Sequence, residues 1–211
     1  MSDDHHEGSL GAVYRATRPE EVASLYDEWA ETYDRQMLVS GYRHPMICLA
    51  LLARYLPRTS GPILDAGAGT GLMGEVLGLV GYAQVEALDI SEGMLAVAAR
   101  KEVYGALHTL ALGGPLPFAD GSYAGVVSSG VFTTGHVGAE ALDELIRVTR
   151  AGGPLVITVK DATWFGGFAQ RVAELESQGR IALVEETPPY ISMPGEAGTT
   201  PARAVVLVVK G

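Results

Sequence analysis

Ile63-Leu64-Asp65-Ala66-Gly67-Ala68-Gly69-Thr70-Gly71 is the stretch on which the fold turns. Its apolar start and closing acid read as a short buried strand, the glycines as a loop, and residues 72–80 as a helix. Gly67, Gly69 and Gly71 leave the backbone bare where strand gives way to helix. A ligand can therefore come close to the main chain and to the open N–H groups of the first helical turn. A tight turn alone needs only one or two glycines. Val85-Glu86-Ala87-Leu88-Asp89 repeats the pattern of an apolar strand ending in an acid. Lying about 20 residues past the loop, Asp89 can accept both hydroxyl hydrogens of an adenosine ribose.

Outward from this pair, the chain alternates between the two periodicities. Ser91 caps a helix running to about residue 100, with Glu92 in its first turn. Further strands are predicted at 107–111, 125–129 and 155–160, from 181, and at 204–210, with helices over 140–150 and 168–178. Upstream, Pro19-Glu20-Glu21 opens a helix whose Val22, Leu25, Tyr26, Trp29 and Tyr33 recur every three or four residues. A second helix spans 45–55, and Pro57 and Pro62 close it. The expected fold is α/β: a Rossmann-like, seven-stranded, mostly parallel sheet with helices on both faces and an N-terminal helical lid. Residues 1–18, with Asp3-Asp4 and His5-His6, read as a flexible tail. Residues 19–211 read as one domain, with 19–60 the lid and 61–211 the core.

Composition narrows the function. Twenty-five acidic residues against 15 Lys and Arg give a net charge of -10, which speaks against nucleic acid or an anionic membrane as partner. One cysteine, Cys48, allows neither an internal disulfide nor a thiolate zinc cluster. No apolar run approaches the roughly 18 residues of a membrane span, and Met1 to Glu7 is polar and acidic. A cytoplasmic protein with a small-molecule ligand is expected.

Gly69-Thr70-Gly71-Leu72-Met73-Gly74 also fits the dinucleotide pattern G-x-G-x-x-G, so an NAD(P)-dependent oxidoreductase stands as a rival. Two features lean the other way. Asp65 would face an incoming pyrophosphate unfavourably but could help place a cationic ammonium, and a helical segment precedes the first strand.

At this point the chain resembles the class I S-adenosylmethionine-dependent methyltransferases. Residues 63–71 look like their first motif and Ala87-Leu88-Asp89-Ile90-Ser91-Glu92-Gly93-Met94-Leu95 like their ribose and adenine segment. Leu116-Pro117-Phe118-Ala119-Asp120-Gly121-Ser122-Tyr123 is similar to their approach to strand four, and Arg147-Val148-Thr149-Arg150-Ala151-Gly152-Gly153 to their turn into strand five. Tyr26-Asp27-Glu28-Trp29-Ala30-Glu31-Thr32-Tyr33-Asp34 and Tyr42-Arg43 resemble, more narrowly, the methyltransferase-like group of the Williams-Beuren-region protein.

The resemblance implies S-adenosylmethionine as cofactor and a small molecule as methyl acceptor. Gly67, Gly69 and Gly71, with Ala66, Ala68 and Leu72 beside them, would pack against its methionine and ribose portions. Asp65 would help place the ammonium, Asp89 the ribose, and Ile90 and Met94 would flank the adenine. Tyr33 would close over the methionine end. Ala111-Leu112-Gly113 lacks the acid that the family often carries for the adenine amino group, so backbone there is expected to serve. Tyr123-Ala124 stands where many relatives read Phe-Asp. These losses keep a second reading open, a non-catalytic protein that binds S-adenosylmethionine or S-adenosylhomocysteine.

Methyl transfer needs mainly in-line approach and exclusion of water. For an acceptor that must lose a proton, His136 in the loop after strand four is the candidate base, with His44 behind it. Tyr14, Tyr42 and Trp164 could line an acceptor pocket. Ser128-Ser129-Gly130-Val131 holds no Asn/Asp-Pro-Pro-Tyr box, and Thr187-Pro188-Pro189-Tyr190 resembles that box only in letters.

Overall fold

The computed structural model describes residues 11, 18–133 and 137–211. Two helices come first, α1 (Pro19–Ser40) and α2 (His44–Tyr55), joined where Gly41 takes the left-handed conformation that ends α1. The sheet then alternates with helices: β1 (Ile63–Ala66), α3 (Leu72–Leu79), β2 (Val85–Asp89), α4 (Glu92–Ala99), β3 (Ala106–Thr109), β4 (Gly125–Phe132), α5 (Leu142–Val148) and β5 (Pro154–Lys160). It finishes with α6 (Ala169–Ser177), β6 (Ile181–Glu186), β7 (Tyr190–Ile191) and β8 (Pro201–Val209).

The strands run in the order β3-β2-β1-β4-β5-β8-β6, and β7 pairs only with β8. β1 to β5 are mutually parallel, whereas β8 lies antiparallel between β5 and β6. This is the Rossmann-like sheet expected, with one addition. Pro188 and Pro189 bring no N–H to a ladder, so the chain leaves the sheet after β6 and only Tyr190 and Ile191 rejoin it. An antiparallel strand inside the path also separates this sheet from the dinucleotide-binding order 3-2-1-4-5-6.

Period-two alternation divides the core between two faces. Leu64, Leu88, Val126, Leu155 and Leu207 pack with α5 and α6, while Ile63, Val85, Val127, Val156 and Val206 pack with α2 and α3. Every residue of β5 is buried, as a strand covered on both sides requires. Three expected strands differ by more than a residue, the last, β8, beginning at Pro201 rather than at 204. β3 stops at Thr109, leaving Ala111 and Leu112 in the loop beyond, and β4 continues to Phe132 through a register shift after Ser128. That shift contains Gly130 at φ 80°, where a β-carbon would stand 2.2 Å from the Tyr42 hydroxyl. Among the described residues no helix is long and apolar enough to cross a membrane.

Candidate functional site

The parallel strands open at their carboxyl ends, and the order reverses between β1 and β4, with β2 on one side and β5 on the other. A crevice is expected there. A cavity of about 190 Å³ occupies it, and one of about 30 Å³ adjoins it beside the first turn of α3. Tyr33, Gly67, Gly69 and Ser129 line both, so they mark the junction.

The glycine loop is set by the sheet. Past the last β1 residue, the N–H groups of Gly67 and Ala68 both reach the Leu88 carbonyl, at 2.7 and 3.0 Å. Gly67 (φ 80°) lies against β4, where a β-carbon would meet Val131 Cγ2 at 2.1 Å. Gly69 (φ 54°) is different: among the described residues a β-carbon there would meet nothing within 4 Å, so this residue turns a bare edge to the cavity.

Asp89 is oriented by main chain. Its Oδ2 accepts the Gly69 N–H at 2.8 Å and its Oδ1 the Ser91 N–H at 2.9 Å, which ties the end of β2 to the loop after β1. Burial raises its pKa, and the N–H groups of Ser91, Gly69 and Ile90 oppose that rise. The carboxylate lines the larger cavity with lone pairs left for a ligand.

Of the other residues picked out in the sequence, Ile90, Met94, Ala111 and Leu112 line the larger cavity, and Ala68 and Leu72 the smaller. Asp65, Ala66 and Gly71 line neither. Asp65 is wholly buried beneath the loop, its Oδ2 accepting the Tyr104 hydroxyl at 2.6 Å while Oδ1 finds no partner among the described residues. Burial pushes its pKa from 3.8 up to about 7 against the Tyr104 hydrogen bond, with Asp89 adding to the rise. Tyr104 in turn accepts the Gly74 N–H at 3.0 Å, and a β-carbon on Gly74 would stand 2.3 Å from its ring. The last glycine of the G-x-G-x-x-G string therefore makes room for a tyrosine.

His136 and Tyr14 lie outside the described residues. His44 is buried, its Nδ1 lying 2.7 Å from the Tyr190 hydroxyl, and burial followed by Lys160 pushes its pKa down to about 3. A ring so weakly basic stays neutral and is poorly suited to take a proton near pH 7. Tyr42 lines the smaller cavity, whereas Trp164 is buried under the guanidinium of Arg203, 5.2 Å from its ring.

Sequence reasoning missed the cavity's other walls. Val131 lines it through the unforeseen extension of β4, and Val22 and Tyr26 through α1, where Tyr26 and Tyr33 flank the buried Trp29 at 6.0 and 4.8 Å. The spacing of Asp27, Glu31 and Asp34 along one stripe of α1 was the available signal. Asp27 Oδ1 accepts the Ser91 hydroxyl at 2.6 Å and the Gly93 N–H at 2.8 Å. Glu31 pairs with Arg100 at 2.8 Å. Asp34 accepts the Thr70 hydroxyl at 2.5 Å and pairs with Lys101 at 2.6 Å. Below, Arg147 holds the 116–120 segment through the carbonyls of Leu116 and Phe118, at 2.9 and 2.8 Å, and Glu144 accepts the Leu116 N–H at 2.7 Å.

Residues 64–157 match the family described as Methyltransferase domain. Human methyltransferase-like protein 27 is 36% identical over 139 residues, 64% of this chain and 56% of that protein. A demethylmenaquinone methyltransferase of Renibacterium salmoninarum is 34% identical over 155 residues, 72% of this chain and 63% of that protein. The chain thus spans about six-tenths of the length of these two relatives. The crystal structure of a TehB-like SAM-dependent methyltransferase from Corynebacterium glutamicum superposes with a TM-score of 0.64 at 20% identity, over 89% of this chain and 99% of that one. Over its Rossmann-like core the chain is thus similar to class I S-adenosylmethionine-dependent methyltransferases.

Proposed function

We propose, from that similarity and the cavity's geometry, that this protein binds S-adenosylmethionine at the carboxyl end of its sheet and transfers the methyl group to a small molecule. One observation carries the reading. Asp89, held by the N–H groups of Gly69 and Ser91, faces a cavity whose adjoining wall is the bare edge of Gly69. A ribose diol fits the carboxylate, and a ligand backbone fits the cradle that a side chain at position 69 would fill. Ile90, Met94 and Leu112 are apolar flanks suited to an adenine ring. The smaller cavity, with Ala68, Thr70 and Leu72 at the start of α3, suits the methionine end.

When bound, the cofactor supplies a sulfonium methyl that an in-line nucleophile can take. The protein's part is positional. Tyr33, at the junction of the two cavities, and Tyr26 bring α1, the first part of residues 19–60, over the site as a lid that excludes water, while α2 packs against the sheet. Ser129, Gly130 and Val131 form the opposing wall from β4, where an acceptor would approach. His136 remains the candidate base for an acceptor that must lose a proton. The demethylmenaquinone methyltransferase among the relatives supports a small organic acceptor.

Calorimetry with S-adenosylhomocysteine and with NADH tests the first step. Binding of the former alone is expected, and tight NADH binding without it would sink the reading. A metabolite screen for S-adenosylhomocysteine release then identifies the acceptor. If His136→Ala leaves turnover on that acceptor unaltered, the base is not His136.

A further inference from the structure

We infer that Glu140 recognises the adenine end of the cofactor, supplying from the segment after β4 the acceptor that the loop after β3 lacks. The inference rests on the reading of the cavity as an S-adenosylmethionine site.

Ile90, Met94, Leu110, Ala111, Leu112 and Val137 give the cavity an apolar wall without a side-chain oxygen. An adenine amino group buried against it brings two N–H donors, and leaving a buried donor unpaired costs about 1–3 kcal/mol. Backbone carbonyls can take one of them. A carboxylate beside the loop after β3 comes from a different element. Glu140 lies in the single 3-10 turn Ala139–Ala141, just past Val137 of the cavity wall. Its Oε1 stands 3.6 Å from the point a β-carbon on Gly113 would occupy, immediately after Leu112.

Two features turn the side chain this way. Oε1 accepts the Gly138 N–H at 3.1 Å, which folds the carboxylate back over its own loop. A β-carbon on Gly138 would stand 2.1 Å from Oε2, so that glycine keeps the space clear. Each carboxylate oxygen has two lone pairs, so the Gly138 bond leaves acceptor positions free for a ligand. Gly113, at φ 97°, brings no side chain between Glu140 and the Leu112 edge of the cavity.

Calorimetry on the full chain with S-adenosylhomocysteine and with S-inosylhomocysteine, whose ring carries oxygen in place of the amino group, tests this. The unmodified protein should favour the amino ligand by about tenfold. Glu140→Ala should weaken that ligand about five- to tenfold and bring the two within about twofold of each other, while Glu140→Gln, which keeps an acceptor oxygen, should retain part of the preference. A purely structural role would weaken both ligands alike. An unchanged ratio in Glu140→Ala, or no preference in the unmodified protein, overturns the inference. If the unmodified protein binds neither ligand, the cofactor reading itself has failed, and the inference with it.

Discussion

β1 and β2 lie side by side, each carries an aspartate near its end, and the two acids have opposite surroundings. Asp65 is sealed under the glycine loop against Tyr104, whereas Asp89 faces the cavity with both oxygens held by main-chain N–H groups. The register explains the difference. Asp65 sits opposite Ala87 within the ladder, and the last rung joins Ala66 to Leu88. Asp89 is one residue beyond that rung, so it projects past the end of β1 into the crevice. An acid faces the cavity here when it clears the final rung, and not merely when it stands near a strand end.

Three experiments would break or sharpen this contrast. The largest effect is expected from pH. Because the pKa of Asp65 is raised from 3.8 to about 7, the native state holds that proton more tightly than the unfolded chain does. Its contribution to stability is full below about pH 4 and declines as pH rises through about 7, by up to on the order of 4 kcal/mol. Asp65→Asn should remove this slope, which urea melts between about pH 4 and pH 8 would reveal; parallel slopes in both proteins would show that Asp65 does not titrate there. Next comes Asp89→Ala, expected to weaken S-adenosylhomocysteine binding by about 1–3 kcal/mol through lost charge-assisted hydrogen bonds. Calorimetry giving an unchanged Kd would remove the ribose assignment. Smallest should be the effect of Asp65→Asn on the same Kd, less than about 1 kcal/mol, because Asp65 lines neither cavity. A loss matching that of Asp89→Ala would mean that the buried acid reaches the ligand after all.

Much of the fold was legible because its signals are local. Glycine spacing, apolar runs and a Ser91 cap whose hydroxyl takes the Met94 N–H at 3.0 Å lie within a few residues of what they determine. The partners of the acids were not legible. Tyr104 is 39 residues from Asp65, and Asp27 is 64 residues from the Ser91 hydroxyl it accepts. The acid stripe on α1 marks Asp27 as facing a partner, but nothing local names the partner of either acid, since a single long-range hydrogen bond constrains only two side chains. The β4 extension was hidden for another reason: Gly130 breaks the strand pattern that would have announced residues up to Phe132. Gly74 shows the converse, a motif glycine present for a tyrosine's sake.

The acid stripe on α1 bears on time as well as position. Asp27, Glu31 and Asp34 tie to α4, to Arg100 and to the glycine loop the same helix whose Tyr26 and Tyr33 line the cavities. Were α1 to act as the proposed lid, exchange of spent cofactor for fresh would part some of those ties together, and residence time would register them. The Glu31 and Asp34 ion pairs are partly solvent-facing, and salt screens such pairs. Ionic strength would then act as a clock on each turnover.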